Sequence, residues 1–317
     1  MHRMPKLPLE VMPNSTVFTL SGINASWESR YVFFCITFLY YLVIIAVNLI
    51  IIVTVALRKP LHEPMYVFLC NLCLNGLYGT SGFYPKFLYD LLSDVQEISR
   101  SGCFIQVFVI YSAVLCDFST LTVMSYDRSV AICRPLEYHT VMTGGTVFKL
   151  TAFSWFLPIF IMFIVIVLSS GVTLCGSHIE KLYCENWAIV KMSCSSSLAS
   201  DVLGYSGLVT YLGHLLFILF SYVKLFKTSL KSAEIRSKFI QTCTPHLLSL
   251  INVFMALLFD TMYSRYGSRD FPQGLRHFLA LEFQIVPPLF NPLIYGLKLN
   301  KVRNEVLRYV RSNAIKF

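Results

Sequence analysis

The chain has 317 residues, 56% of them hydrophobic and only 14% charged, with a mean hydropathy of +0.63. Soluble domains carry about 25% charged residues, so the composition excludes a water-soluble domain and points to an integral membrane protein. The net charge of +9 calls for no nucleic-acid partner, because topology and attraction to anionic lipid account for its distribution.

The first 30 residues are polar and carry two glycosylation sequons, at Asn14 and Asn24. The first long apolar run starts at Tyr31, so the first helix is expected to act as its own signal anchor rather than as a cleaved leader. Seven apolar runs follow, at about 31–57, 64–92, 101–134, 146–169, 199–226, 236–263 and 273–297, and a basic amphipathic stretch covers 299–312. They are too long and too continuously apolar for barrel strands, which alternate over about ten residues. The expectation is an all-α membrane protein: a tail at 1–30, a seven-transmembrane helix bundle at 31–297, and a short amphipathic helix 8 with a tail at 298–317. With the N-terminus outside, sixteen of the 26 basic residues fall on the inner side with only five of the 17 acids, as the positive-inside rule requires.

Ten cysteines divide by position. Six lie within the runs or near the inner side, where small buried apolar residues are the plain reading. Cys103, Cys175, Cys184 and Cys194 lie on the outer side, where disulfides persist. Four cysteines allow three pairings and spacing does not choose among them. Among these four no CxxC spacing favours a metal site.

The third run ends in Met124-Ser125-Tyr126-Asp127-Arg128-Ser129-Val130-Ala131-Ile132-Cys133-Arg134-Pro135-Leu136. This stretch resembles a signature of odorant receptors, a branch of the rhodopsin-like G-protein-coupled receptors. Further marks stand in order: Leu61-His62-Glu63-Pro64-Met65-Tyr66, Ser221-Tyr222, Lys238 through Leu247 with Thr242-Cys243 and His246, and Asn291-Pro292-Leu293-Ile294-Tyr295. Phrases such as Gly79 through Lys86 look most like the fish branch. The resemblance covers residues 48 to about 303. It implies Cys103–Cys184 and Cys175–Cys194 disulfides, the second closing a loop on itself.

The resemblance also assigns Asp127, Arg128, Tyr222, Asn291, Pro292 and Tyr295 to activation and G-protein coupling. Arg128 stays charged at any relevant pH, Asp127 is placed to hold it at rest, and Pro292 gives the seventh helix a place to bend. Tyr222 and Tyr295 can donate hydrogen bonds that stabilise an opened state; membrane-interface anchoring is their plainer role. Two departures stand out. Ser129 replaces the family's tyrosine, and Arg236 stands where many such receptors have an acid that locks the arginine. The resting state must therefore be held otherwise.

The family's helix 2 acid is replaced by Gly76, leaving Asp117 on the third run, eleven residues before Arg128 and on the same helical face. A membrane-buried acid is a functional candidate. Asp117 with Asn48 and Asn291 offers oxygen ligands for sodium; protonation or a bond to Asn75 are the alternatives. For the ligand, the third run offers Ile110, Tyr111, Val114 and Leu115, and the sixth offers Phe254, Leu258, Thr261 and Arg265 at helical spacing. Helix packing alone would equally place the apolar members there. Ile110 stands where amine receptors carry an aspartate, which argues against an amine, and Ile285 stands where a retinal-binding lysine would be. Arg265 either receives a carboxylate through its two-pronged fork or acts as an end-cap paired with Asp260 or Asp270.

The reading is an odorant receptor in the plasma membrane with its N-terminus outside. It has no cofactor and no catalytic set. Its partners are a small odorant, with a carboxylate favoured, a stimulatory heterotrimeric G protein and membrane lipid. The rivals are a rhodopsin-like receptor for a non-olfactory ligand and a transporter.

Overall fold

The computed structural model describes residues 16–23, 25–194, 198–230, 232–266 and 273–314; the side chains of 198–208, 238, 242, 259–266, 273–283 and 310–314 lie outside that description. Asn14 and Asn24 fall outside the described residues. Seven long helices form one bundle: α1 (Trp27–Leu57), α2 (Pro64–Leu91), α3 (Arg100–Cys133), α4 (Gly144–Ser170), α5 (Leu198–Ser229), α6 (Ala233–Tyr266) and α7 (Gln273–Lys298). An eighth, α8 (Asn300–Ala314), follows after one residue.

Local chemistry sets the ends. Ser26 caps α1, its hydroxyl accepting from Ser29 N–H, so α1 begins four residues before the apolar run does. Ser99 and Thr143 cap α3 and α4 in the same way. Pro64 opens α2 at the first position, where its missing N–H costs nothing. Pro135 follows the end of α3, and Arg134 before it leaves the helical region, as the residue before a proline tends to. Inside α6 the axis bends by 41° between Gln241 and Cys243. Pro245 lacks the N–H that would bond the Gln241 carbonyl, which weakens the ladder at that turn.

The outward faces need a membrane. On α1 only Ile44, Asn48, Ile51, Thr54 and Val55 are buried, and Phe148, Phe156 and Phe163 of α4 stand open. Apolar surface on that scale is not left to water. Among the described residues, α1, α3, α4 and Val209–Ser229 of α5 are long and apolar enough to span a bilayer, and the bent α6 passes as one span. α2 falls short because it carries Asn71, Asn75, Thr80 and Asp90, all buried. That is the pattern of a helix facing the bundle, where polar groups find partners. α3 is the hub, touching α2, α4, α5 and α6.

One end is closed by a small sheet that the polar tail did not foretell. β1 (Val17–Leu20) lies between β2 (Glu97–Ser99), antiparallel with Val17 opposite Ser99, and β3 (His178–Ile179), parallel. The cause is a short alternation within β1: Phe18 and Leu20 point in and are buried, while Thr19 points out to His178. Arg30 holds the tail down, donating to the carbonyls of Leu91, Asp90 and Ser93. Cys103–Cys184 and Cys175–Cys194 are bonded at this same end.

α8 lies at the opposite end. Lys301 Nζ reaches Glu63 Oε1 at 2.6 Å and Arg58 pairs with Glu305 at 3.5 Å. The bond to Glu63 is the main cause that raises the Lys301 ammonium's pKa above the ordinary lysine value. Val302 is fully buried against the bundle.

Candidate functional site

At the end away from the disulfides, α3 delivers Asp127 and Arg128. The Asp127 side chain is fully buried, and burying a carboxylate is costly unless each oxygen is bonded. Arg128 supplies Nε at 2.9 Å to Oδ2, and its Nη2 donates to the same oxygen. The other oxygen accepts from the Tyr138 hydroxyl at 2.8 Å. Tyr138 follows a 3-10 turn at Pro135–Glu137, so the Pro-Leu of the motif turns the chain and brings the phenol back. Burial first, and then the Asp127 charge, push the Tyr138 phenol's pKa up, so it remains a donor. Arg236 is exposed, and the ion pair that Arg128 makes among the described residues is with Asp127.

What bridges α3, α5 and α6 is His246, which sequence reading quoted within a motif but gave no role. Its Nε2 lies 2.8 Å from the Leu121 carbonyl and its Nδ1 lies 2.5 Å from the Tyr222 hydroxyl. A carbonyl only accepts, so Nε2 carries the proton; in the neutral ring Nδ1 then accepts from Tyr222. One fully buried imidazole thus ties three helices together. The signal available was a histidine directly after Pro245, at the start of the apolar stretch of α6. A second strut, Ser119 Oγ to His214 Nε2 at 3.1 Å, joins α3 to α5 nearer the middle; His214 Nδ1 donates to the Thr210 carbonyl at 2.8 Å.

On α7, Asn291, Pro292 and Tyr295 are buried. Asn291 Oδ1 has no hydrogen-bond partner among the described residues, and the Tyr295 hydroxyl lies beside Ser249.

The middle of the bundle holds a small cavity between α2, α3 and α7. Ile110, Val114 and Asp117 line it from α3 at spacings of four and three. Asn75, Gly76, Gly79 and Thr80 line it from α2, and Gln284, Pro287 and Pro288 from α7. Asn75 Nδ2 donates to Asp117 Oδ1 at 2.7 Å and to the Ala113 carbonyl at 2.7 Å. Asn48 donates to the Ile44 and Pro288 carbonyls. Among the described residues no three His, Cys, Asp or Glu side chains gather as a metal site.

The expected ligand residues separate. Ile110 and Val114 line the cavity. Leu115, the next position round the helix, packs away from it with Phe104, Val107 and Met162 in a second apolar cluster. Tyr111 is half-buried and packs on both clusters. Phe254 and Leu258 are half-buried on α6 and do not line this cavity. Thr261 and Arg265 lie on α6, but their side chains fall outside the described residues.

A family model described as olfactory receptor matches residues 34–313 of this sequence. The chain belongs to the olfactory receptor family. It is 32% identical over 300 residues to olfactory receptor 1D5 of Pan troglodytes, covering 93% of this chain and 94% of that protein. It is 30% identical over 296 residues to olfactory receptor 52D1 of Homo sapiens, covering 92% and 93%. Among solved structures it resembles the crystal structure of squid rhodopsin, with a TM-score of 0.69 at 16% identity over 90% of this chain and 81% of that one. That likeness fixes the fold of this olfactory receptor as the rhodopsin-like seven-helix bundle.

Proposed function

We propose that this olfactory receptor sits in the plasma membrane with its N-terminus and disulfides outside. There it binds a small organic odorant and activates a stimulatory heterotrimeric G protein on the inner face. The observation that carries the reading is the pair of closed contacts at the Asp127 end, Arg128 on Asp127 and Tyr222 on His246. Parting α6 from α3 and α5 must break the second, and that frees the Tyr222 hydroxyl for other partners. The basic excess at the same end favours the inner leaflet, and α8 with its exposed Arg303 and Arg308 lies where such lipid would be.

The test is a cyclic-nucleotide reporter in cells that supply a stimulatory G protein, screened with panels of acids, amines, alcohols and aldehydes. An odorant response that disappears in Arg128→Ala at equal surface level is the expected result. A full response in that variant would overturn the coupling role of Arg128. A receptor for a non-olfactory small molecule would share the same switch, and its site of expression would tell the two apart.

A further inference from the structure

We infer that the cleft beneath the N-terminal tail, at the outer ends of α1 and α2, is an accessory binding site for a small zwitterionic amino acid. Its residues are separate from those of the central cavity, and the inference goes beyond the receptor reading.

Segments far apart in the chain wall this cleft. The tail crosses it at Gly22, α1 contributes Arg30, α2 contributes Phe87 and Asp90, the connection to β2 contributes Gln96, and the loop before Cys184 contributes Leu182. Two opposite charges on the wall are incompletely met. Asp90 is 7% exposed. Its Oδ1 accepts from Lys86, but its Oδ2 is buried with no hydrogen-bond partner among the described residues. Such an oxygen costs free energy until a donor reaches it, and a charged donor serves it best.

The second charge is Arg30. Its Nε donates to the Leu91 carbonyl at 3.0 Å, and its Nη2 donates to the carbonyls of Asp90 and Ser93. These bonds fix the plane of the guanidinium. Nη1 makes no hydrogen bond among the described residues. It stands 3.8 Å from Oδ1 of Asp94, whose side chain is 92% exposed, and an ion pair open to water at one end holds it only weakly.

An acceptor and a donor left over in one cleft select a ligand that carries both. A bare cation on Asp90 would meet the Lys86 and Arg30 charges as well, and a bare anion on Arg30 would meet the Asp90 carboxylate. An ammonium and a carboxylate on one carbon answer both groups, the first on Asp90 Oδ2 and the second on Arg30 Nη1. Phe87 and Leu182 are buried apolar wall, which suits a short aliphatic substituent. The tail sets the size. Gln96 is held by donating to the carbonyls of Asp90 and Ser93, and a Cβ on Gly22 would stand 2.5 Å from its Oε1. The roof therefore sits close over the cleft, and glycine and alanine are the amino acids that fit beneath it. Bound there, the ligand ties the tail to α1 and α2.

The test is equilibrium binding of tritiated glycine to the full-length receptor in lipid nanodiscs, with empty nanodiscs as the blank. Saturable binding is expected, displaced by unlabelled glycine and alanine. At constant ionic strength, methylammonium and acetate each supply one end of the zwitterion, and each should compete at least about tenfold more weakly than glycine. Asp90→Asn should weaken glycine binding by at least the same factor. Gly22→Ala leaves both charges in place, forces the tail off Gln96 and should weaken binding too.

No saturable binding above the blank would overturn the proposal. So would unchanged affinity in Asp90→Asn, or acetate or methylammonium competing as strongly as glycine. The competition series needs only the native receptor, so it decides the matter even where Asp90→Asn fails to fold. No step involves a G protein or an odorant, so a failure here leaves the receptor reading standing.

Discussion

Replacing His246 by phenylalanine should raise the receptor's basal signalling. The ring keeps most of its volume, so the packing between α3, α5 and α6 is largely retained. The bonds to the Leu121 carbonyl and the Tyr222 hydroxyl both go. A hydrogen bond contributes about 0.5–1.5 kcal/mol net, so two together hold the closed arrangement by about 1–3 kcal/mol. At about 1.4 kcal/mol per tenfold, the balance between open and closed states moves about 5- to 150-fold toward open. The assay is agonist-free cyclic-nucleotide accumulation, normalised to surface receptor. Tyr222→Phe is the informative companion. It loses one of the two bonds, and it also loses the hydroxyl proposed to stabilise the open state, so its basal rise should be smaller and its maximal response lower. Basal signalling of His246→Phe equal to that of the native receptor at matched surface level would refute the latch.

Three further outcomes follow from other parts of the structure. Tyr138→Phe leaves Asp127 Oδ1 buried without its donor, a loss of about 1–3 kcal/mol borne by the closed state, so basal activity should rise while surface level holds; unchanged basal activity would make Tyr138 a loop anchor only. The chain-entropy model assigns about 4.5 kcal/mol to the Cys103–Cys184 bridge, which closes 81 residues, and about 3 kcal/mol to Cys175–Cys194, which closes 19, so the double alanine variant of the first pair should lose more surface receptor than that of the second. Arg265→Ala should weaken an acidic agonist about 10- to 150-fold, the equivalent of a lost charge-assisted pair of about 1.5–3 kcal/mol, and a neutral analogue should be little affected; unchanged potency of the acid would make Arg265 an end-cap.

Seven helices were legible because each needed a long apolar run, and the structure extends most of them by only a few residues. The start of α1 was less so, since Glu28, Ser29 and Arg30 read as tail until the Ser26 cap and the Arg30 contacts with the end of α2 are seen. β1 was hidden for a related reason. Four residues with two inward side chains carry too little pattern to stand out from a polar tail, and their partners are 80 and 159 residues away in the chain. The disulfides were reached through family resemblance, since spacing leaves three pairings open. The shared face of Asp117 and Arg128 was readable from helical period alone. The cavity was not, because it depends on which side chain fails to reach across from α2, and the Gly76 and Gly79 gaps show only once α3 is packed beside them.

The same distance problem hid the role of His246. Nothing near it in sequence shows that its ring nitrogens meet a carbonyl 125 residues earlier and a phenol 24 residues earlier. Its presence changes how the departures from the family pattern add up. Gly76 removes the helix 2 acid and Arg236 removes the α6 acid that would lock Arg128. Among the described residues a neutral imidazole links α6 to α3 and α5 at that end, while the charge of Arg128 is met within α3 itself by Asp127. Releasing α6 therefore costs two neutral hydrogen bonds and does not strand a buried charge, whose exposure to apolar surroundings would cost several kcal/mol. A ligand shifts such an equilibrium only by its difference in affinity for the two states. With a latch of about 1–3 kcal/mol, a difference of that size in the central pocket is enough to open it. Weakly binding small molecules, which gain little free energy from their few atoms, are the ligands that a latch this light can serve.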